Sequence, residues 1–168
     1  MADLAPTPPQ TVGPFLHLAL AEPDRRAAVG PGTPGRTTVS GTLVDGDGAG
    51  VPDGLIETWQ VDGCFARCAT DDDGRWEVHT RKPPPAPTVD GRPQAPHLLV
   101  SVFARGLLHR VVTRVYFADE AAANAADPVL AVIDPARRPR LVATGDEAGG
   151  YRFDIRLQGE DESVFFEC

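Results

Sequence analysis

The clearest pattern of hydrophobic and polar positions covers residues 151–158, where the two kinds of residue alternate. Apolar side chains stand at Tyr151, Phe153, Ile155 and Leu157, and polar ones at Arg152, Asp154, Arg156 and Gln158. A period of two places one set on each face of an extended chain, so the segment is predicted to be a half-buried strand. After a turn at "GEDE", a final strand is predicted over Ser163–Phe166.

Earlier segments show β-runs closed by Asp-Gly pairs, a signal typical of tight turns between strands. They are "TTVSGTLVDGDG", "GLIETWQVDG" and "CFARCATDDDGRWEVHT", the last predicting two strands around Asp73-Gly74. The stretch "HLLVSVFARGLLHRVVTRVYF" predicts two long strands that turn at Arg105-Gly106, the first of them apolar on both faces. About eight strands at short spacing predict a mainly β protein, a β-sandwich or a barrel.

Three regions depart from this pattern. Residues 81–96 contain six prolines and are predicted to be a loop, because proline lacks the backbone donor that a central strand needs. Residues from about 119 to 143, beginning "DEAAANAA", predict short helices that Pro128, Pro135 and Pro139 interrupt. Residues 1–35 are rich in Pro and Gly and predict an irregular N-terminal arm, with one β domain over residues 36–168.

Composition narrows the class of protein. The net charge of −8 argues against a nucleic-acid binder, which needs a basic face, and no apolar run is long enough to span a membrane. The N-terminal residues make a poor signal peptide, because no Lys or Arg precedes their apolar part. Three cysteines, Cys64, Cys68 and Cys168, show no disulfide framework and predict free thiols in a reducing cytoplasm.

Candidate chemistry is sparse. The four histidines, His17, His79, His97 and His109, show no metal-ligand spacing, and His97 in "QAPHLLVS" has no neighbouring donor, so a structural histidine is favoured over a ligand. No phosphate-binding loop or nucleophile elbow is present. Arg105, at the tip of the "FARG" turn, is either a solvated turn residue or a fork for binding a carboxylate.

Several long segments, taken together, resemble the intradiol ring-cleaving dioxygenases. They are "TPPQTVGPFLHLAL", "GLIETWQVD", "DDGRWEVHTRKP", "APHLLVSVFARG", "TRVYFADEAAANAADPVL" and "YRFDIRLQGEDESVFFE". They follow one another in the family's order over nearly the whole chain. The resemblance implies an antiparallel β-sandwich domain over residues 36–168, preceded by the arm of residues 1–35, which would contact a partner subunit.

The family binds a ferric ion through two tyrosines and two histidines, and most of these ligands are missing here. The resemblance places Ala86 at one tyrosine, His97 at the first histidine, Leu99 at the second, and Gln94 at a motif arginine. The segment "GCFARCAT" has no counterpart of the other tyrosine. The resemblance therefore implies that this chain binds no metal and is a non-iron subunit, with Fe(3+) held by a homologous beta subunit.

The same resemblance gives this chain a supporting role at the partner's active site. Thr11, Gly13 and Pro14 in "TVGPF" and Arg105 in "FARG" would contact the substrate, with Arg105 meeting its carboxylate. The implied reaction is cleavage of 3,4-dihydroxybenzoate (protocatechuate) by O2 to 3-carboxy-cis,cis-muconate, in an alpha–beta hetero-oligomer. No catalytic residue is expected in this chain alone. The alternatives are a non-enzymatic β-sandwich binding module and a self-sufficient iron dioxygenase, the latter disfavoured by the missing tyrosines.

Overall fold

Strands dominate the computed structural model, which describes residues 7–13, 15, 18, 20, 24–89 and 91–167. The strands are β1 (Arg36–Val44), β2 (Leu55–Trp59), β3 (Phe65–Ala69), β4 (Arg75–Arg81), β5 (Ala86–Val89), β6 (Arg92–Gln94), β7 (His97–Phe103), β8 (Val111–Phe117), β9 (Val142–Gly145), β10 (Tyr151–Arg152) and β11 (Ile155–Arg156). The helices are α1 (Ala121–Ala126) and α2 (Pro128–Val132), flanked by 3₁₀ turns at Ala118–Glu120 and Arg138–Leu141. Among the described residues, no helix is both long and apolar enough to span a membrane.

The main sheet has two halves that β9 joins. In one half β2, β3, β7 and β8 pair antiparallel; in the other β1 pairs antiparallel with β4 and parallel with β10 and β11. Strand β9 lies parallel to β8 and antiparallel to β10, which links the halves. The mainly β prediction is confirmed, but these parallel pairings make the sheet mixed. Long connections, such as the helical segment between β8 and β9, permit parallel pairing that a tight hairpin cannot.

The main core lies between the two halves of the sheet. Its buried residues from the first half include Ile56, Leu98 and Val100, and those from the second include Val39 and Val78. The strand β7 supplies several of them, as expected from its apolar composition. A smaller core lies elsewhere and packs the helical segment against β8; it consists of Ala95, Tyr116, Leu130, Leu141 and Val164.

The last part of the arm forms backbone hydrogen bonds with two edge strands of the sheet. The backbone of Arg25 forms a bridge with Arg67 of β3, and that of Ala27 forms one with His79 of β4. Three hydrogen bonds hold this segment, including His79 N–H to Arg26 O at 2.7 Å. Residues 25–28 therefore span the gap between the two edge strands.

The prediction of a loop over residues 81–96 was wrong in part. Strands β5 and β6 form a small hairpin there, separate from the main sheet, with Ala86 opposite Gln94 and Val89 opposite Arg92. Gly91, at φ +75°, supplies the left-handed conformation that the turn requires. The Asp-Gly signal that marked the other hairpins is present here too, and the prolines keep the hairpin out of the central sheet.

The strand predicted over residues 151–158 is interrupted at Phe153 and Asp154, between β10 and β11. Here the Asp154 side chain takes the place of a backbone acceptor, since its Oδ1 accepts from Thr42 N at 2.8 Å. Gly41 permits the close approach: a Cβ there would lie 1.7 Å from Phe153 O. The predicted final strand, Ser163–Phe166, is reduced to a single bridge between Phe166 and Val112.

Candidate functional site

The arm meets the turn after β7. The Thr11 Oγ1 accepts from the Gly106 N–H at 2.9 Å, and also from the Gly13 N–H at 3.3 Å. Gly13 has φ +68°, a left-handed conformation that favours glycine. Thr11 and Gly13 are therefore next to Arg105, whereas Pro14, the fourth residue predicted for this site, lies outside the described residues.

The Arg105 side chain projects from a tight turn. Leu107 N donates to Ala104 O at 3.3 Å, and Gly106 sits at φ +88°, so the turn has a defined shape. The Arg105 side chain is 61% exposed, and its Nε lies 2.9 Å from Asp53 Oδ2. Within the described part of the chain, its Nη1 and Nη2 contact no other charged or hydrogen-bonding group.

Both the arm and the segment after this turn expose apolar side chains. Val12, Phe15 and Leu18 of the arm are exposed, and so is Leu108 beside the turn. Between the arm and the segment after the turn lies an open groove of about 790 Å³, lined in part by Val12, Leu108 and Val111. Exposed apolar groups close together are typical of a surface that another protein covers.

The residues at the family's ligand positions lie elsewhere, around the start of β7. His97 is buried, and its Nδ1–H donates to Ala95 O at 2.8 Å. Leu99, two residues along the same strand, is 43% exposed. Ala86 lies on β5, opposite Gln94 on β6. Leu99 on β7 and Ala86 on β5 thus carry no side-chain donor that could share a metal ion with His97.

A buried hydrogen-bond network lies beside His97. Arg114 Nη1 donates to Gln94 Oε1 at 2.8 Å and to Tyr116 Oη at 3.2 Å, and Tyr116 Oη donates to Asp127 Oδ1 at 3.3 Å. The rings of His97 and Tyr116, paired across β7 and β8, have centroids 5.3 Å apart. The sequence interpretation missed Tyr116 and Asp127 as members of the network beside His97.

Burial sets the protonation of this network. It lowers the pKa of His97, with Arg114 acting in the same direction, so the imidazole is kept neutral. Burial also raises the pKa of Tyr116 to about 12, which keeps the phenol protonated at neutral pH. A protonated phenol that already donates to a carboxylate is a poor ligand for a metal ion.

The donors near His97 do not fit ferric iron. Fe(III) needs several anionic or imidazole donors converging on one point, and here a single neutral imidazole is flanked by Leu99 and Ala86. Across the described residues, no group of three or more His, Cys, Asp or Glu side chains could hold a metal ion. The network around His97 has the character of internal packing.

The two described cysteines are free thiols. Burial raises the pKa of Cys68 to about 11, and burial together with the neighbouring Asp62 raises that of Cys64. Both thiols therefore stay protonated at neutral pH and are poor nucleophiles. Cys168 lies outside the described residues.

Comparison with known proteins identifies related chains. This chain is 41% identical over 195 residues to the protocatechuate 3,4-dioxygenase alpha chain of Pseudomonas putida, covering 98% of this chain and 97% of that one. It is 31% identical over 156 residues to the protocatechuate 3,4-dioxygenase beta chain of Burkholderia cepacia, covering 75% and 66%. No family model matches the chain.

Among solved structures, the fold is similar to the dioxygenase domain of a dioxygenase carbohydrate-binding fusion protein from Streptomyces sp. SirexAA-E. The TM-score is 0.66 at 26% identity, with 92% of this chain and 99% of that chain covered. The resemblance stated from sequence motifs is thereby confirmed along nearly the whole chain. This chain belongs to the family of protocatechuate 3,4-dioxygenase alpha chains, among the intradiol ring-cleaving dioxygenases.

Proposed function

We propose that this chain is the non-iron subunit of a protocatechuate 3,4-dioxygenase and completes an active site whose ferric ion a beta subunit holds. The ring cleavage itself, by O2 between the two hydroxyl-bearing carbons, then belongs to the partner. This chain contributes a surface that positions the substrate, a contribution that can lower a reaction barrier substantially.

The observation that carries the proposal is the separation of two places in the fold. At the ligand positions, His97 is tied to Ala95 O and Leu99 and Ala86 offer no donors. At the other place, Thr11 accepts a hydrogen bond from Gly106 in the turn that presents Arg105, and it also accepts one from Gly13. The described residues around His97 lack the donors that iron needs, while Arg105 offers an exposed cation where a carboxylate could bind.

The surroundings of Arg105 suit a subunit contact. The exposed Val12 and Leu108 line the groove beside its turn, and a beta subunit covering that groove would enclose the substrate. A relative named as a beta chain supports a partner of similar fold. We infer that the arm of residues 1–35 makes this contact, and that the complex is an alpha–beta hetero-oligomer in the cytoplasm, consistent with the free thiols of Cys64 and Cys68.

The test is to purify this chain alone and together with a beta chain that carries the full set of iron ligands. Iron content, visible absorbance and protocatechuate-dependent O2 uptake are measured for each preparation. We expect a colourless, iron-free and inactive chain alone, and activity in the complex. Stoichiometric iron or turnover in the chain alone would overturn the proposal, and a stable monomer that ignores the beta chain would favour a binding module.

A further inference from the structure

We propose that Asp53 is a positioning residue for Arg105. In this arrangement the Asp53 carboxylate forms an ion pair with the guanidinium on its Nε side, so that the far edge of the guanidinium, Nη1 and Nη2, faces the carboxylate of the substrate. The inference rests on the proposed function, because it assumes that Arg105 meets a substrate held in the partner's site.

The pairing of two strands brings these residues together although they are far apart in sequence. Strands β2 and β7 are antiparallel, with Leu55 opposite Phe103. Continuing that register by two residues beyond the ladder sets Asp53 across from Arg105, each at the end of its strand. The resulting distance from Arg105 Nε to Asp53 Oδ2 is 2.9 Å.

The turn that carries Asp53 is held firmly. The buried Thr70 hydroxyl donates to Val51 O at 2.6 Å and accepts from Gly54 N at 2.9 Å, and Thr70 N donates to Gly54 O at 2.9 Å. These hydrogen bonds fix the backbone of the turn on both sides of Asp53. A group fixed in this way can hold an exposed arginine in one orientation, whereas a free side chain would sample many rotamers.

The geometry of the guanidinium makes the anchor useful. Arginine has five N–H donors in a planar fork, and a contact through Nε leaves the Nη1–Nη2 edge for a second carboxylate. That edge meets no other charged or hydrogen-bonding group among the described residues, and the Arg105 side chain is 61% exposed. A planar carboxylate can therefore approach it bidentately from outside the chain.

The surroundings of Asp53 satisfy only part of its carboxylate. Its side chain is 19% exposed, and its Oδ1 is buried with no hydrogen-bond partner in the described part of the chain. Leaving a buried carboxylate oxygen without a donor is unfavourable for folding. We take this cost as a sign that Asp53 serves the orientation of Arg105.

Asp53 has two opposing effects on an anionic substrate. It orders the arginine, which favours binding, and its negative charge repels the substrate carboxylate, which opposes binding. Asp53→Ala removes both the anchor and the charge, whereas Asp53→Asn removes the charge but leaves an oxygen that can accept from Nε. The two variants therefore separate anchoring from charge.

The experiment uses the complex of this chain with its beta chain and compares protocatechuate with catechol, which lacks the carboxylate. We expect Asp53→Ala to raise KM for protocatechuate about tenfold with kcat nearly unchanged, since the anchor acts in substrate binding. Asp53→Asn should raise it by a smaller factor, about threefold. KM for catechol should not change. Binding of 4-hydroxybenzoate, measured by calorimetry, should weaken in parallel.

Asp62→Ala is the matched control, because Asp62 forms a similar partly buried ion pair with Arg81 away from this turn, at 3.0 Å. It should leave both KM values unchanged. When Arg105 is already replaced by Ala, adding Asp53→Ala should not change KM for protocatechuate further, since the side chain that Asp53 positions is gone.

Equal rises of KM for the two substrates, additive effects with Arg105→Ala, or a KM that falls in Asp53→Asn would each overturn the inference. If the Asp53→Ala chain does not form a complex with the beta chain, the same criteria are applied to the Asp53→Asn variant. If Arg105→Ala raises KM for protocatechuate but Asp53→Ala and Asp53→Asn leave it unchanged, the inference fails and the proposed function stands. If Arg105→Ala changes neither substrate, the proposed role of Arg105 fails, and the inference fails with it.

Discussion

At the scale of single residues, the surroundings of His97 are held together by internal hydrogen bonds. Asp127 is its best-connected member: it is fully buried, and it accepts from Ala95 N, Val129 N and Leu130 N at 2.7–2.8 Å and from the Tyr116 hydroxyl. One carboxylate thus caps α2 and fixes the segment before His97.

Asp127→Ala should lower the free energy of unfolding by about 3 kcal/mol, because it leaves several buried donors without an acceptor. Urea denaturation followed by circular dichroism measures the change. Asp134→Ala is the control: Asp134 is exposed and its Oδ1 accepts from Ala136 N, so its loss should cost less than about 1 kcal/mol. Similar losses in the two variants would show that the Asp127 network contributes little.

The pH dependence of stability should carry the signature of His97. Burial lowers its pKa in the folded chain below the unfolded value of 6.5. Above pH 6.5 the imidazole is neutral in both states; as the pH falls below that value the unfolded state binds a proton first, so stability is lost down to the folded pKa.

His97→Gln should therefore lose less stability than the unmodified chain when the pH is lowered from 7 to 5. Denaturant midpoints at the two pH values provide the measurement. His109→Gln, a change at an exposed histidine, should keep the unmodified pH dependence. If His97→Gln shows the same fall in stability as the unmodified chain, the buried imidazole is not responsible.

At the scale of elements, local patterns predicted most strands but not their interruptions. The alternation over residues 151–158 is real, since Phe153 and Ile155 are buried while Arg152 and Asp154 are exposed. The break between β10 and β11 depends on Gly41, a distant residue on another strand. No pattern within residues 151–158 contains that information.

Gly41→Ala should destabilise the chain by about 3 kcal/mol or more, because the new methyl group would overlap the Phe153 carbonyl and force the backbone apart. Gly145→Ala, in β9 of the same sheet, is a matched control: a Cβ there meets nothing within 4 Å, and neither glycine has a positive φ. Thermal melting should show a large fall for the first variant and almost none for the second. A tolerated Gly41→Ala would contradict the close approach.

At the scale of the whole molecule, stability should be unevenly distributed. Fifteen buried residues between the two halves of the sheet form the main described core, while five form the core under the helical segment. Amide hydrogen exchange should therefore be slowest in β1, β7 and β8 and faster by at least about tenfold in α1 and α2, because a small core opens at lower cost. Equal protection of helices and strands would show one cooperative unit.

The family could be inferred from the sequence because long segments of matching residues are local properties, whereas the assignment of the candidate site stays a prediction. "TVGPF", "FARG" and the change to Leu99 can be identified without coordinates, and the mainly β class follows from the strand signals. The contact of Thr11 with Gly106 could not be predicted, since nothing in either segment specifies the other.

The amino-acid sequence by itself determined the β-rich class and the family, because side-chain chemistry and short-range periodicity encode them. Only the tertiary structure decided which distant groups meet: Asp53 with Arg105, Asp127 with Tyr116 and Ala95, and Gly41 with Phe153. Such contacts depend on strand register and on the packing of two sheet halves. Those are properties of the whole chain, since each pairing is fixed by many residues acting together.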